Sequence, residues 1–208
     1  MKKYRFFINF QKEEKWLADM AIKGWQLKKQ NICYTFESAP PEQSNIRIDY
    51  RHFKNQSDFL EYRTLFEDGG WQHITGSKYS GNQYFKSIGK SQNEDIFSDD
   101  LSRAGRYKRM SNAMLIGFLI LLPLVFVAIS NGTLGLYVFL NPRSLFLTPG
   151  LWERSGIEFW RAFLFETPFA LMRGLSWSFS LLIILLYAFF TVKSWLIYKK
   201  ALNNEAYK

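Results

Sequence analysis

Two stretches of this chain run uncharged for long enough to cross a bilayer, and every other segment must be arranged around them. From Asn112 to Ser130 the sequence reads NAMLIGFLILLPLVFVAIS, nineteen residues that as a helix would extend roughly 28 Å, close to the thickness of a hydrocarbon core. From Leu175 to Val192 it reads LSWSFSLLIILLYAFFTV, with Trp177 near one end and Trp195 just past the other, as expected of interfacial aromatic belts. Transmembrane helices are predicted at 112–130 and 175–195. Pro123 removes one backbone donor inside the first, which membrane helices tolerate when neighbours compensate.

The basic residues beside these runs set the expected orientation. Arg103, Arg106, Lys108 and Arg109 precede the first, Lys193, Lys199 and Lys200 follow the second, and only Arg143 and Arg173 lie comparably close on the connecting side. The positive-inside rule then puts both termini in the cytoplasm of a cell that carries the protein as a multi-pass membrane protein. The connection, 131–174, becomes an extracytoplasmic loop. Within it, GIEFWRAFLFETPFALM sets Ile157, Trp160, Phe163 and Leu164 on one helical face. This segment reads either as an interfacial amphipathic helix on the outer leaflet or as a helix packed on the spans, ended near Pro168. Neither apolar run, 112–130 or 175–192, contains a charge, and two spans are few for a transport path, so the membrane part is expected to anchor, associate or sense.

Upstream of the spans, residues 1–90 are charged and mixed, and Gly-Trp-Gln occurs twice, at 24–26 and 70–72. Aligned at that 46-residue offset, Tyr4-Arg5 falls on Tyr50-Arg51, Phe7 on Phe53, Trp16 on Tyr62 and Met20 on Phe66. Each copy opens with an extended stretch, KYRFFINF or IRIDYRHF. In the second, Ile46, Ile48 and Tyr50 alternate with Arg47, Asp49 and Arg51, the period of a half-buried strand. A helical stretch follows: EEKWLADMAIK buries Trp16, Leu17, Met20 and Ala21, with Glu13 and Glu14 suited to the dipole of its first turn. SDFLEYRTLFEDG has Ser57 as its expected N-cap and Phe59, Tyr62, Leu65 and Phe66 as its buried side. Glycine ends each helix, and each tryptophan opens a strand that leads into a hairpin.

The expected fold class is therefore an α+β cytoplasmic domain made of a duplicated β-α-β-β unit, with two helices on one face of the strands, followed by an α-helical two-span transmembrane hairpin. A juxtamembrane helical linker over 91–111, in which Ser98 is the expected cap, joins domain to span, and 196–208 form a cytoplasmic tail. A groove between the two copies is the expected ligand site, lined by Trp16, Trp25, Tyr34, Asp49, Tyr50, Tyr62, Trp71 and Tyr84. Arg103, Arg106, Lys108, Arg109, Lys199 and Lys200 are the expected lipid-headgroup contacts, each contributing about 1 kcal/mol near an anionic leaflet.

Catalytic chemistry finds little support. His52 and His73 are the only histidines and neither stands in a metal motif; Cys33 is the single cysteine and reads as a small buried hydrophobe. Nucleophile-elbow, P-loop and dinucleotide glycine patterns are lacking, so no enzyme, no cofactor and no metal are expected. The start MKKYRFFINF has too short an apolar run and no cleavage site for a signal peptide. The formal charge of +9 admits nucleic acid or anionic lipid, but without a helix-turn-helix or RNA-binding motif direct nucleic-acid binding is not expected.

Taken in order, YRFFINF, EEKWLADMAIKGWQL, YTFE, RIDYR, FLEYRTLFEDGGWQ, QYFK and EDIFSD resemble the bacterial membrane-protein family catalogued as domain of unknown function 2812, over roughly residues 3 to 109. That resemblance implies a membrane protein of Gram-positive bacteria, often encoded beside a PadR-type repressor, with a role in a regulated envelope response. It transfers no catalytic residue. At the level of fold alone, the doubled β-α-β-β order resembles the ligand-binding domains related to the gyrase-inhibitory protein, which hold small molecules between two such units. The function expected is a membrane-anchored regulatory or sensory adaptor whose cytoplasmic domain binds a protein or small ligand. The alternative is an accessory subunit of a membrane transporter complex. Partners are expected to be membrane lipid, a membrane or regulatory protein, and a small-molecule ligand.

Overall fold

The computed structural model describes residues 1–89, 95–130 and 141–205. The chain divides into two compact units, one of Met1–Ala113 with Phe190–Lys208 and one of Met114–Phe189.

In the first unit the order is β1 (Lys2–Lys3), α1 (Phe10–Ile22), β2 (Trp25–Gln30), β3 (Tyr34–Ser38), β4 (Ile46–Tyr50), α2 (Gln56–Asp68), β5 (Trp71–Thr75) and β6 (Asn82–Ser87). Two antiparallel three-stranded sheets result, β1-β3-β2 and β4-β6-β5, each with the last strand in the middle. The two helices begin and end 46 residues apart. Asn9 and Asn55 are their N-cap positions, and Asn9 accepts from the Lys12 amide whereas Asn55 makes no side-chain cap. Ser57 is therefore not the cap of α2; it lies one residue inside the helix, because the chain leaves extended geometry at Asn55. Both helices are followed by a glycine in the left-handed region, Gly24 at φ 78° and Gly70 at φ 81°, and a side chain would be strained there. The strand after each glycine has a bulge at the equivalent place, between Leu27 and Lys29 and between His73 and Thr75.

Helix α1 buries Phe10, Glu13, Glu14, Leu17, Met20 and Ala21, an i, i+3, i+4, i+7 stripe. It packs against β2 and β4, joining both sheets in one core with Leu27, Tyr34, Phe36, Ile46, Ile48, Tyr50 and Tyr84. Helix α2 packs on β5, over a smaller cluster of Tyr62, Trp71 and Phe85. Tyr84 and Phe85 are consecutive on β6 and point to opposite faces. The helices thus cover opposite faces of the second sheet, not one face as expected, and β4 is buried on both sides; Asp49 is as deeply covered as its apolar neighbours.

Helix α3 (Asp100–Ser130) starts inside this unit and continues without a break into the apolar stretch. Asp99, not Ser98, stands at its start, its carboxylate receiving the Ser102 amide and its carbonyl the Arg103 amide. Ala104, Tyr107 and Met110 are buried, the last two in the main core. The end of α4 (Gly156–Glu205) belongs to the same unit: Ser111 Oγ donates to the Thr191 carbonyl at 3.0 Å, and Ile197 and Tyr198 pack on the core.

The second unit holds the rest of α3 and α4 and two short 3₁₀ turns, Pro142–Leu145 and Leu151–Glu153. Helix α4 runs through Pro168, so the amphipathic segment and the second apolar run form one helix of 50 residues. The proline costs one internal hydrogen bond, and flanking turns keep theirs. Glu166, 8 % exposed, ties the preceding segment down, receiving the Leu147 amide at 2.9 Å and pairing with Arg173 at 2.6 Å. In the same unit Phe146 and Phe159 stack on Phe163, and Trp152 stands edge-on to Phe146. Both α3 and α4 contain windows of mean hydropathy above 2 and are long and apolar enough to cross a membrane.

Candidate functional site

The amphipathic stripe of α1 carries glutamates at two places where an apolar residue is the usual choice. Each is satisfied by partners from elsewhere in the fold. Glu13 is 2 % exposed; its Oε1 receives the Tyr34 hydroxyl at 2.8 Å and the Tyr84 hydroxyl at 2.6 Å. One carboxylate thereby joins the central strands of both sheets. Burial outweighs the two phenol donors and pushes its pKa up to about 7, because removing a carboxylate from water disfavours the charged form. The same burial, with the adjacent carboxylate, raises both phenols well above their ordinary range.

One residue on, Glu14 Oε1 receives the Ile48 amide at 3.0 Å and pairs with the Arg106 guanidinium, which also donates to the Ile48 carbonyl at 2.6 Å. Arg106 is 1 % exposed. Its plane lies over the rings of Phe10, Phe97 and Tyr107, a placement that suits the weakly hydrated guanidinium better than an ammonium. One turn further along α3, Arg109 pairs with Asp49 and donates to the Tyr50 carbonyl at 2.7 Å. Asp49 also receives the Tyr62 hydroxyl at 2.9 Å. Tyr107, between the two arginines, accepts the Phe10 amide at 3.0 Å. Helix α3 is thus gripped at two successive turns by carboxylates from α1 and β4.

This geometry relocates most of the sequence-predicted residues. Tyr34, Tyr50 and Tyr84 belong to the larger core, Tyr62 and Trp71 to the smaller one, and Asp49 is buried in the ion pair; Trp16 and Trp25 pack half-buried against the larger core. Most of the side chains expected to line an open groove fill the space between the layers instead, and Tyr62 also borders a surface cavity of about 460 Å³ beside Arg51, His52 and Phe53. A cleft of about 360 Å³ does open at the edge of the unit, lined by Glu14, Lys15, Asn45, Arg47, Asp95 and Arg103 among others, and none of the eight groove residues lines it. Of the expected headgroup contacts, Arg106 is too buried to reach a lipid, Arg109 is held by Asp49, and Arg103 pairs with Asp95 and Asp100. Lys108 lies over the Tyr198 ring and Lys199 over Trp195. Lys200 is exposed and shares a second cavity, of about 550 Å³, with Lys12 and Tyr107.

His73 Nε2 lies 3.0 Å from Gln83 Oε1 and His52 stands edge-on to Tyr50; burial lowers the pKa of both. Cys33 is half-buried and free. Among the described residues no three His, Cys, Asp or Glu side chains gather in a group that would hold a metal.

Glu13, Glu14 and the inward role of Arg106 and Arg109 escape a reading of the sequence that assigns charges to helix dipoles and lipid. The available signal was the stripe itself: Phe10, Glu13, Glu14, Leu17, Met20 and Ala21 occupy one face.

No curated protein and no solved structure matches the chain. The family model described as Protein of unknown function (DUF2812) matches residues 9–119, a stretch that holds α1, both carboxylate clamps and the first part of α3. The chain belongs to that family.

Proposed function

We propose that this protein is a membrane-anchored regulatory or sensory adaptor: a cytoplasmic domain that binds a protein or a small ligand and passes the binding event to a two-span anchor. The observation that carries this reading is the grip of the domain on α3. Arg106 and Arg109 are spent on Glu14 and Asp49, and the helix that bears them continues as an apolar stretch able to cross a membrane. A tether needs only a linker; a buried ionic grip makes the root of the span part of the domain core. Displacing either carboxylate leaves an uncompensated charge, so the grip is suited to two discrete arrangements.

The domain is read as a duplicated β-α-β-β unit, supported by the shared strand order and by caps, glycines and bulges that recur at one offset. Ligand binding is assigned to the cleft beside α1 because Glu14 and Arg103 line it: a small polar molecule seated there bears directly on the grip. A link to a PadR-type repressor and an envelope response, the cytoplasmic position of both termini and a Gram-positive source complete the proposal. The accessory-subunit reading draws on one observation, the exposed apolar surface of α3 and α4, which suits partner helices as well as lipid.

Purifying the intact protein in mild detergent, followed by mass spectrometry of the proteins, lipids and small molecules retained, tests these readings. The adaptor predicts a regulatory protein or a small polar ligand whose retention falls in Glu14→Gln. A stable transporter complex as the main companion supports the accessory subunit. Retention of neither contradicts both.

A further inference from the structure

We infer that the N-terminal segment around Tyr4 and Phe6 is a lipid-facing anchor, seated at the interface of the same membrane that the apolar helices cross. This rests on the anchoring reading above. The positions come from contacts within the first unit. Phe6 lies with its ring 5.4 Å from that of Phe190. Phe190 is in the last turn of the uncharged run of α4, which ends before Lys193. At the same level Ser111 bonds the Thr191 carbonyl, and Ser111 immediately precedes the uncharged run of α3. Phe6 therefore stands where both helices change from charged to apolar, the depth at which aromatic side chains gather in membrane proteins.

Exposure and charge agree with that placement. Phe6 is 70 % and Tyr4 78 % exposed, whereas the neighbouring Phe7 turns inward against Trp16 and Tyr34. Two large aromatics left outside the core, close together on one segment and beside the root of α4, form a contact surface, and amphipathic rings suit a headgroup layer. Lys2, Lys3 and Arg5 alternate with or precede them. Basic residues interleaved with aromatics complement an anionic leaflet. The arginines of α3, by contrast, are committed to carboxylates. The lipid contact expected of that helix thus passes to a strand end and loop of the domain.

The test uses the full chain with Cys33→Ser, in nanodiscs of phosphatidylcholine and phosphatidylglycerol. A nitroxide is attached in turn at Phe6→Cys, Tyr4→Cys, Ile32→Cys and Leu119→Cys, and collision with oxygen is compared with collision with a water-soluble nickel chelate. Ile32, 93 % exposed in the β2–β3 turn, is the aqueous reference, and Leu119 reports the span. The expected result is an oxygen-to-nickel ratio at 4 and 6 shifted from that at 32 toward that at 119, with a smaller shift in discs lacking phosphatidylglycerol. Nickel-rich labels at 4 and 6 with an oxygen-rich label at 119 overturn the anchor while leaving the membrane reading intact. A nickel-rich label at 119 overturns both. Low collision with either reagent at 4 and 6 means that protein, such as a second copy, covers the segment, and overturns it too.

Discussion

Helices α1 and α2 have the same length, begin and end 46 residues apart and are followed by equivalent glycines, yet they do opposite work. Helix α1 turns six residues inward, two of them glutamates, and touches both sheets and α3. Helix α2 buries only Phe59 and Tyr62 and leaves Leu65 69 % exposed. At the 46-residue offset Glu13 falls on Phe59 and Glu14 on Leu60: where α2 packs a ring, α1 places a charge that needs partners. Equal helix lengths and spacing fix where side chains stand. Which helix becomes the hub depends on whether those side chains find distant partners, and of the two only α1 meets two phenols and an arginine.

The comparison breaks most visibly at the ionic grip. Replacing Arg106 by Met leaves Glu14 buried without its cation, and unfolding of the full chain in detergent should lose about 3–5 kcal/mol. Pairing that change with Glu14→Leu should restore part of the loss. Next in size is the pH response of Glu13. Its folded pKa of about 7 lies above the unfolded 4.5, so between those values the folded protein keeps a proton that the unfolded chain releases. Its contribution is full below about pH 4.5 and declines as pH rises to about 7, by on the order of 3 kcal/mol. Subtracting the stability curve of Glu13→Gln from that of wild type isolates this slope from the opposing histidines, and a flat difference would rule the burial of Glu13 out. On the α2 side, Tyr62→Phe removes one donor to Asp49 and should cost about 2 kcal/mol, read in the same unfolding experiment. Smallest is Leu65→Ala on the exposed side of α2, expected within about 0.5 kcal/mol of wild type; a larger loss would mean that α2 is covered.

Much of this architecture is legible in the sequence, for reasons that are local. Absence of charge over eighteen or nineteen residues has few meanings, so the two apolar helices stand where expected. The Gly-Trp-Gln pair marks helix ends because glycine alone relieves the positive φ at 24 and 70. What escapes is what depends on distant partners. Glu14 and Arg106 are 92 residues apart, and each taken alone suits a solvated or membrane-facing role. Of the tyrosines expected in a groove, Tyr34, Tyr50 and Tyr84 do meet, but in the larger core, while Tyr62 lies in the smaller cluster on the other face of the sheet. Pro168 reads as a helix end, since proline disfavours helix interiors, yet the apolar context carries α4 past it.

Hydrogen exchange in the full chain, reconstituted in bilayers, asks most directly whether the root of α3 belongs to the domain core. If the carboxylate grip is as described, amides from Ala104 to Ser111 exchange as slowly as those of β4, and in Glu14→Gln they quicken together with β4. Fast exchange at the root of α3 while β4 stays protected would contradict it, and reduce the helix to a tether.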